Sequence, residues 1–324
     1  MSDTKKQPLI ALDIGGTKIA SGLVFLDERS TPRLTMLNKV ATDAQQGGAA
    51  VLERVCDAAQ ALLNQARQAG YEPAGIGISS AGVIDPIRGD VHFANDVMPG
   101  WSNTPLASTV AMRCGLPTKA LNDVHAHALG EARYGAGKAY ASCLVVAVGT
   151  GIGGAYVYDH YIMRGAHDVA GSIGHVICPQ AADMPCACGR SGHVETIAAG
   201  PGLLASYKAL GGNMHREDGT SITGADLSQR ADAGDGLAQE AQSRAGYALG
   251  AVLGSTCNMV DPACIILSGS VVQSGAFWHD ALRRGFGAQA MDPLATTPLL
   301  TGELGGMAPL IGAAENFVRF AYRQ

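Results

Sequence analysis

Basic residues never gather into a block in this 324-residue chain, and Lys and Arg together number 23 against 28 Asp and Glu. Phosphate neutralisation needs clustered cations, so the formal charge of -5 argues against nucleic acid as a main partner. Long apolar runs are missing too. Nothing approaches the roughly 20 residues that span a bilayer. The apolar part of the opening MSDTKKQPLIALDIGG is too short for a signal-peptide core. No membrane is expected as partner, and a cytoplasmic location is. A disulfide framework is also absent. Of eight cysteines, Cys56, Cys114, Cys143, Cys257 and Cys264 lie in apolar contexts and read as small buried hydrophobes. Charge is scarce, at 16% against 47% hydrophobic residues, which marks a globular chain long enough for two domains.

Glycine is plentiful: 43 residues, gathered at particular places. Leu9 to Asp13 is apolar, Gly15-Gly16-Thr17-Lys18 follows, and a second apolar run covers Ile19 to Leu26. This predicts strand, tight turn, strand, with Arg33 to Val40 a third strand and a helix from Ala49 to Gln68. Cys143 to Val148, Gly149 to Gly154 and Ala155 to Tyr158 repeat the opening pattern. The two units are either an internal repeat or two unrelated hairpins. Alternating strands and helices predict an α/β fold. Further helices are expected at Leu106–Cys114, Thr196–Leu210, Leu237–Met259 and Leu310–Tyr322, with a connector running to about Leu227.

Chemistry concentrates in the glycine turns and two other places. Asp13-x-Gly15-Gly16-Thr17-Lys18 offers bare amides, a hydroxyl and an ammonium for phosphate oxygens, and a carboxylate for magnesium. It has neither the Walker A nor the G-x-G-x-x-G spacing. Gly149, Thr150, Gly151, Gly153 and Gly154 form a second nest, and Ser268-Gly269-Ser270 a third close-approach loop. Asp123 follows a short strand and Asn122; it reads either as a general base or as part of a helix cap. The stretch from Gly174 to Glu195 places His175, Cys186, Cys188 and His193 in H-x10-C-x-C-x4-H spacing. Four donors suit a closed, structural zinc site, with Cys178 a lesser candidate.

Taken together and in order, LDIGGTK at 12–18, SSAGVIDP at 79–86, Asn95…Trp101, ND at 122–123, VGTGIGG at 148–154, GH at 174–175, CACGRSGHVE at 186–195 and LSGSV at 267–271 resemble the ROK family of repressors and sugar kinases. The resemblance covers essentially the whole chain. It implies the two-domain actin-like, ribonuclease-H-like ATPase fold, with a cleft between an N-terminal domain (1–123, onto which a C-terminal helix at 309–324 packs back) and a larger domain (124–308) bearing the zinc loop. It implies ATP, Mg²⁺, structural Zn²⁺, a sugar substrate and a homodimer.

Position by position, Asp123 matches the catalytic base, and Gly82, Asn122, His175 and Glu195 match sugar-contacting positions. Asp13, Gly15, Gly16, Thr17 and Lys18 match one phosphate loop, Gly149 to Gly154 the other, and Gly269 the adenosine side. Two positions depart from the family. His193 stands where its zinc motif ends in cysteine, and Ser172 stands in place of the glutamate of E-x-G-H that grips hydroxyls near C1 and C2. Room near C2 makes N-acetylmannosamine the expected substrate of a 6-hydroxyl kinase, with glucose the alternative. Only eight residues precede the first strand, which leaves no place for the helix-turn-helix of repressor members; a non-catalytic sugar-binding regulator is the remaining reading.

Overall fold

The computed structural model describes residues 7–27 and 31–321. Two compact units emerge. The first comprises residues 1–139, 157–170 and 303–324; the second comprises 140–156 and 171–302. The boundary expected at 123/124 would fall after the first residue of the helix Asp123–Tyr134, and the first unit runs on to residue 139.

In the first unit, β1 (Leu9–Ile14), β2 (Lys18–Phe25), β3 (Arg33–Ala41), β4 (Ile76–Ser80) and, beyond the short β5 (Val83–Ile84) and β6 (Val91–Phe93), β7 (Thr118–Asn122) form the sheet β3-β2-β1-β4-β7. β1 runs antiparallel to β2 and parallel to β4, which is parallel to β7. Helices α1 (Gly48–Gln68) and α2 (Leu106–Cys114) share one apolar cluster with Ile10, Leu12, Ile14, Ile76 and Ile78. Leu9, Ala11 and Val24 instead face α9 (Ala308–Ala321). α9 also lies against α3 (Asp123–Tyr134), and both approach closely through glycine: a Cβ at Gly312 would meet the Ala126 carbonyl, and one at Gly130 the Ala308 carbonyl. α9 begins two residues before the predicted start, and the end expected at Tyr322 lies outside the described residues.

The other sheet has the order β10-β9-β8-β11-β12, with β8 (Ser142–Val148), β9 (Ile152–Tyr158), β10 (Tyr161–Ile162), β11 (Cys264–Ser268) and β12 (Leu299–Thr301). Substituting first for first and second for second, this is the same strand order as before, so the repeated strand–glycine turn–strand units are equivalent pieces of two like-ordered sheets. The end of β9 and β10 count with the first unit. The core of the second unit draws on α4 (Glu195–Ala198), α5 (Gly200–Ala209), α6 (Gly224–Asp232), α7 (Gly236–Val260) and α8 (Ala276–Gln289).

Three details differ from the sequence reading. The helix expected over Thr196–Leu210 breaks at Ala199, where Pro201 lacks an N–H and the Gly200 N–H turns to the Gly149 carbonyl at 2.8 Å. The connector before Leu227 already contains the start of α6, begun by a reciprocal cap between Thr223 and Asp226. α8 was not expected, because its Gly285 and Gly287 weaken the helical signal. Packing overrides that: Gly246, Gly250 and Gly254 of α7 sit against backbone carbonyls of Trp278, Leu282 and Phe286, and Gly285 against that of Tyr247. Side chains at these places would force the two helices apart.

Candidate active site and metal centre

In the first unit the functional candidates gather at the carboxyl ends of three parallel strands, where open α/β sheets present ligand sites. Register sets Asp13 beside Ser79 and Ser80 beside Asn122. The Ser79 hydroxyl donates to Asp13 Oδ1 at 2.7 Å. Burial pushes the Asp13 carboxyl above its ordinary range, opposed by Ser79 and by the Lys18 charge. The turn after β1 is fixed by Gly15 N–H on the Lys18 carbonyl (3.0 Å) and by Thr42, whose hydroxyl donates to the Gly15 carbonyl at 2.7 Å. Thr17 and Lys18 are exposed.

Asn122 and Asp123 divide two tasks. Asn122 Oδ1 accepts from the N–H groups of Val124 and His125, capping α3, while its Nδ2 donates to the Gly82 carbonyl at 2.9 Å and to Asp123 Oδ1 at 2.8 Å. Because the neighbour does the capping, Asp123 keeps acceptor capacity beyond its own bond from Val124 N (2.9 Å). Its pKa is raised to about 6, first by burial and then by the Asp13 charge, against the pull of the Val124 and Asn122 bonds. The result is a buried carboxylate that is ionised at neutral pH and has a raised proton affinity, suited to accepting a proton. Gly82 has φ +102, and a Cβ there would meet the Phe93 carbonyl at 2.6 Å.

Sequence reasoning did not single out Ser79 and Ser80. Both are fully buried, and Ser80 Oγ accepts from Trp101 Nε1 at 3.2 Å. Two serines ending an otherwise apolar strand were the available signal.

In the second unit, the turn between β8 and β9 is closed by Gly149 N–H on the Gly151 carbonyl (2.9 Å). Gly269, at φ +99, leaves no space for a Cβ against the Val148 carbonyl, so the loop after β11 lies directly on the strand that enters this turn. The segment leading to His175 is seated the same way. Gly171 lies on the Gly154 carbonyl and Gly174 on that of Ile152, so neither could carry a side chain. Ser172 is exposed, at the start of the short helix Ile173–His175.

Beyond it, Gly189 and Gly192, at φ +84 and +85, fold the 178–193 loop back on itself. His175 Nδ1 lies 3.2 Å from His193 Nδ1 and 3.8 Å from Cys186 Sγ, and Cys188 Sγ lies 3.4 Å from His193 Nδ1. All four donor atoms fall within 4.8 Å of one another. A tetrahedral zinc with ordinary bond lengths separates its ligand atoms by about 3.3–3.8 Å, near the three separations just given, so the set could hold such an ion. Cys178 is not part of it; its thiol belongs to the apolar core around Leu203 and Tyr207. Glu195 stands between the donor cluster and the glycine turn, with Oε1 3.0 Å from Cys186 Sγ and Oε2 accepting from Ile152 N at 3.4 Å.

Comparison with known proteins accords with this arrangement. Residues 9–319 match the ROK family. The glucokinase of Streptomyces coelicolor is 31% identical over 94% of this chain and 96% of that enzyme. The N-acetylmannosamine kinase of Shigella boydii is 30% identical over 94% of this chain and 96% of that one. The crystal structure of a ROK family glucokinase from Streptomyces griseus, in complex with glucose and AMPPNP, superposes with a TM-score of 0.78 at 31% identity, over 95% of this chain and 98% of that one. Two like-ordered α/β sheets, carboxylates at the strand ends and a match along nearly the whole length place the chain in the ROK family, as a sugar kinase with the two-domain actin-like ATPase fold.

Proposed function

We propose that this kinase transfers the γ-phosphoryl group of ATP to the 6-hydroxyl of N-acetyl-D-mannosamine. The observation that carries the choice of sugar is Ser172, a small, exposed residue at the position where the family's hexose kinases hold the E-x-G-H glutamate. A glutamate there would press on a C2 acetamido group and bond a C2 hydroxyl; serine does neither. D-Glucose is the second reading, favoured by the glucokinases among the relatives.

In this reading Asp123 accepts the proton of the 6-hydroxyl as the phosphoryl group leaves ATP. Asn122, Gly82, His175 and Glu195 hold the sugar, and His175 does so while its Nδ1 serves the metal. Asp13 and the Gly15, Gly16, Thr17 and Lys18 turn hold phosphate oxygens, as do Gly149, Thr150, Gly151, Gly153 and Gly154, with Gly269 against the adenosine. Asp13 would hold Mg²⁺, which would supply charge neutralisation for the triphosphate. His175, Cys186, Cys188 and His193 would hold Zn²⁺, which would stiffen a loop with little packing of its own. Catalysis then comes chiefly from positioning and charge, as phosphoryl transfer generally requires. The protein acts in the cytoplasm as a homodimer; among the described residues no helix is long and apolar enough to cross a membrane.

The test is ADP release from ATP and Mg²⁺ with N-acetylmannosamine, glucose, N-acetylglucosamine, fructose and allose in parallel. The reading expects the highest kcat/KM on N-acetylmannosamine. A preference for glucose moves the assignment to the second reading, and folded, zinc-loaded protein that releases no ADP with any sugar overturns both.

A further inference from the structure

The chain passes between its two compact units at 139/140, 156/157, 170/171 and 302/303. Three of these passages are tied down on the first-unit side by one helix, α3. Glu131 is the principal tie. It is fully buried, and its carboxylate faces three backbone N–H groups: Leu304 on Oε1 at 2.8 Å, and Glu303 and Ala136 on Oε2 at 3.1 and 3.2 Å. Its own carbonyl accepts from Gly137 N at 3.0 Å. One turn and a half earlier, His125 Nε2 lies 3.2 Å from the carbonyl oxygen of Ala170.

The partner changes abruptly at two of the passages. Glu303 N–H bonds to Glu131, whereas the preceding Gly302 N–H bonds to the Leu267 carbonyl of the second unit. Ala170 is held by α3, whereas the next residue, Gly171, is seated on Gly154. A carboxylate satisfied by three N–H donors is a stiff fixture, since hydrogen bonds to a charged acceptor each contribute more than neutral ones. The first residue of the same helix is Asp123.

We propose that Glu131 is a positioning residue for the transfer reaction: it pins the segments at 136 and 303–304 to α3, so that the helix whose first residue is Asp123 keeps its place within the first unit. The proposal rests on the kinase reading for its effect on rate, but not for the anchorage itself. Without the pin, ligands still bind, while Asp123 spends less time in position for the transfer.

Glu131→Gln in the full-length protein keeps the volume and points an amide N–H₂ at donors. Hydrogen exchange followed by mass spectrometry should show the amides of Ala136, Glu303 and Leu304 opening about 10- to 100-fold more often, as loss of a charged hydrogen bond dictates. With N-acetylmannosamine or glucose, whichever the wild type prefers, kcat should fall about tenfold from misalignment. Calorimetric affinities for that sugar and for AMPPNP should stay within about twofold, since no ligand group is removed. Glu131→Asp should recover part of kcat. A kcat within twofold of wild type despite faster exchange, or unchanged exchange, overturns the proposal, as does a loss of both affinities with kcat retained. Wild-type protein with no turnover on any sugar defeats the kinase reading separately, and the exchange result then still decides the anchorage. If Glu131→Gln does not fold, Gly135→Ala carries the same expectations, because its Cβ would collide with the Glu131 carboxylate.

Discussion

The proposed proton-accepting site and the candidate metal loop are built by opposite means. Around Asp123, regular structure does the positioning. Three parallel strands end together, a helix begins, and Asn122 serves cap, carbonyl and carboxylate at once. The 178–193 loop has one short 3-10 helix, Pro179–Ala181, and two isolated bridges, Ile177 with His193 and Pro185 with Ser191, and turns at Gly189 and Gly192. In the proposed reading its order depends on four converging donors. A site made by secondary structure can hold a buried charge at a cost to the fold; a site made by ligands loses its shape when the ion goes.

The largest expected effect breaks the first half of that contrast. Asp123→Asn should lower kcat by roughly a hundredfold or more, the usual scale of general-base loss, while sugar affinity persists. The same change should raise Tm at pH 7. Burial lifts the Asp123 pKa to about 6, above the ordinary aspartate value of its unfolded form. Its contribution to stability is therefore fully present below the unfolded pKa and is lost as pH rises through about 6. At pH 3 the mutant and wild type should melt alike. In wild type, kcat/KM should climb as pH passes about 6 and the base becomes ionised. A mutant with more than a tenth of wild-type kcat, or with a lower Tm at pH 7, contradicts this account.

Next in size is metal removal. Stripping zinc with a chelator, confirmed by elemental analysis, should weaken sugar binding about tenfold or more, on the scale by which lost support around a metal site is usually felt. AMPPNP affinity should change less, and zinc should restore both. Equal losses for sugar and nucleotide would mean that the Glu195–Ile152 link carries the damage into the glycine turn. Ser172→Glu should then shift kcat/KM toward glucose over N-acetylmannosamine by about tenfold, one well-placed hydrogen bond in scale; an unchanged ratio removes that residue from the specificity argument. The smallest effect is expected at Cys178. Cys178→Ala should cost about 1 kcal/mol, read from denaturant midpoints, with zinc content unchanged, because its thiol fills core volume. Loss of zinc there would show that the donor set is misassigned.

Much of this was legible in the sequence, for identifiable reasons. The glycine turns, Asn122-Asp123 and the His/Cys spacing are local patterns, and each lies where the chain order places it. The two readings of Asp123, cap or base, were not alternatives in the end: the cap is Asn122, and that leaves its neighbour available. What stayed hidden depends on contacts distant in sequence. Ser79 matters through Asp13, 66 residues away, and α8 is a helix because α7 offers glycines to its backbone. Glu131 gave no signal at all, since its partners at 303 and 304 lie far along the chain.

The placement of α9 sets an order of assembly. During synthesis, domains usually complete from the N-terminus onward. Here Leu9, Ala11 and Val24 wait bare on one face of the first sheet until Leu310, Ala314 and Phe317 are made. The last strand of the second unit, β12, is finished before that. The unit begun first is thus the one completed last, and a nascent chain carries an unfinished sheet face past the ribosome for nearly its entire translation, an exposure that chaperones would be called on to cover.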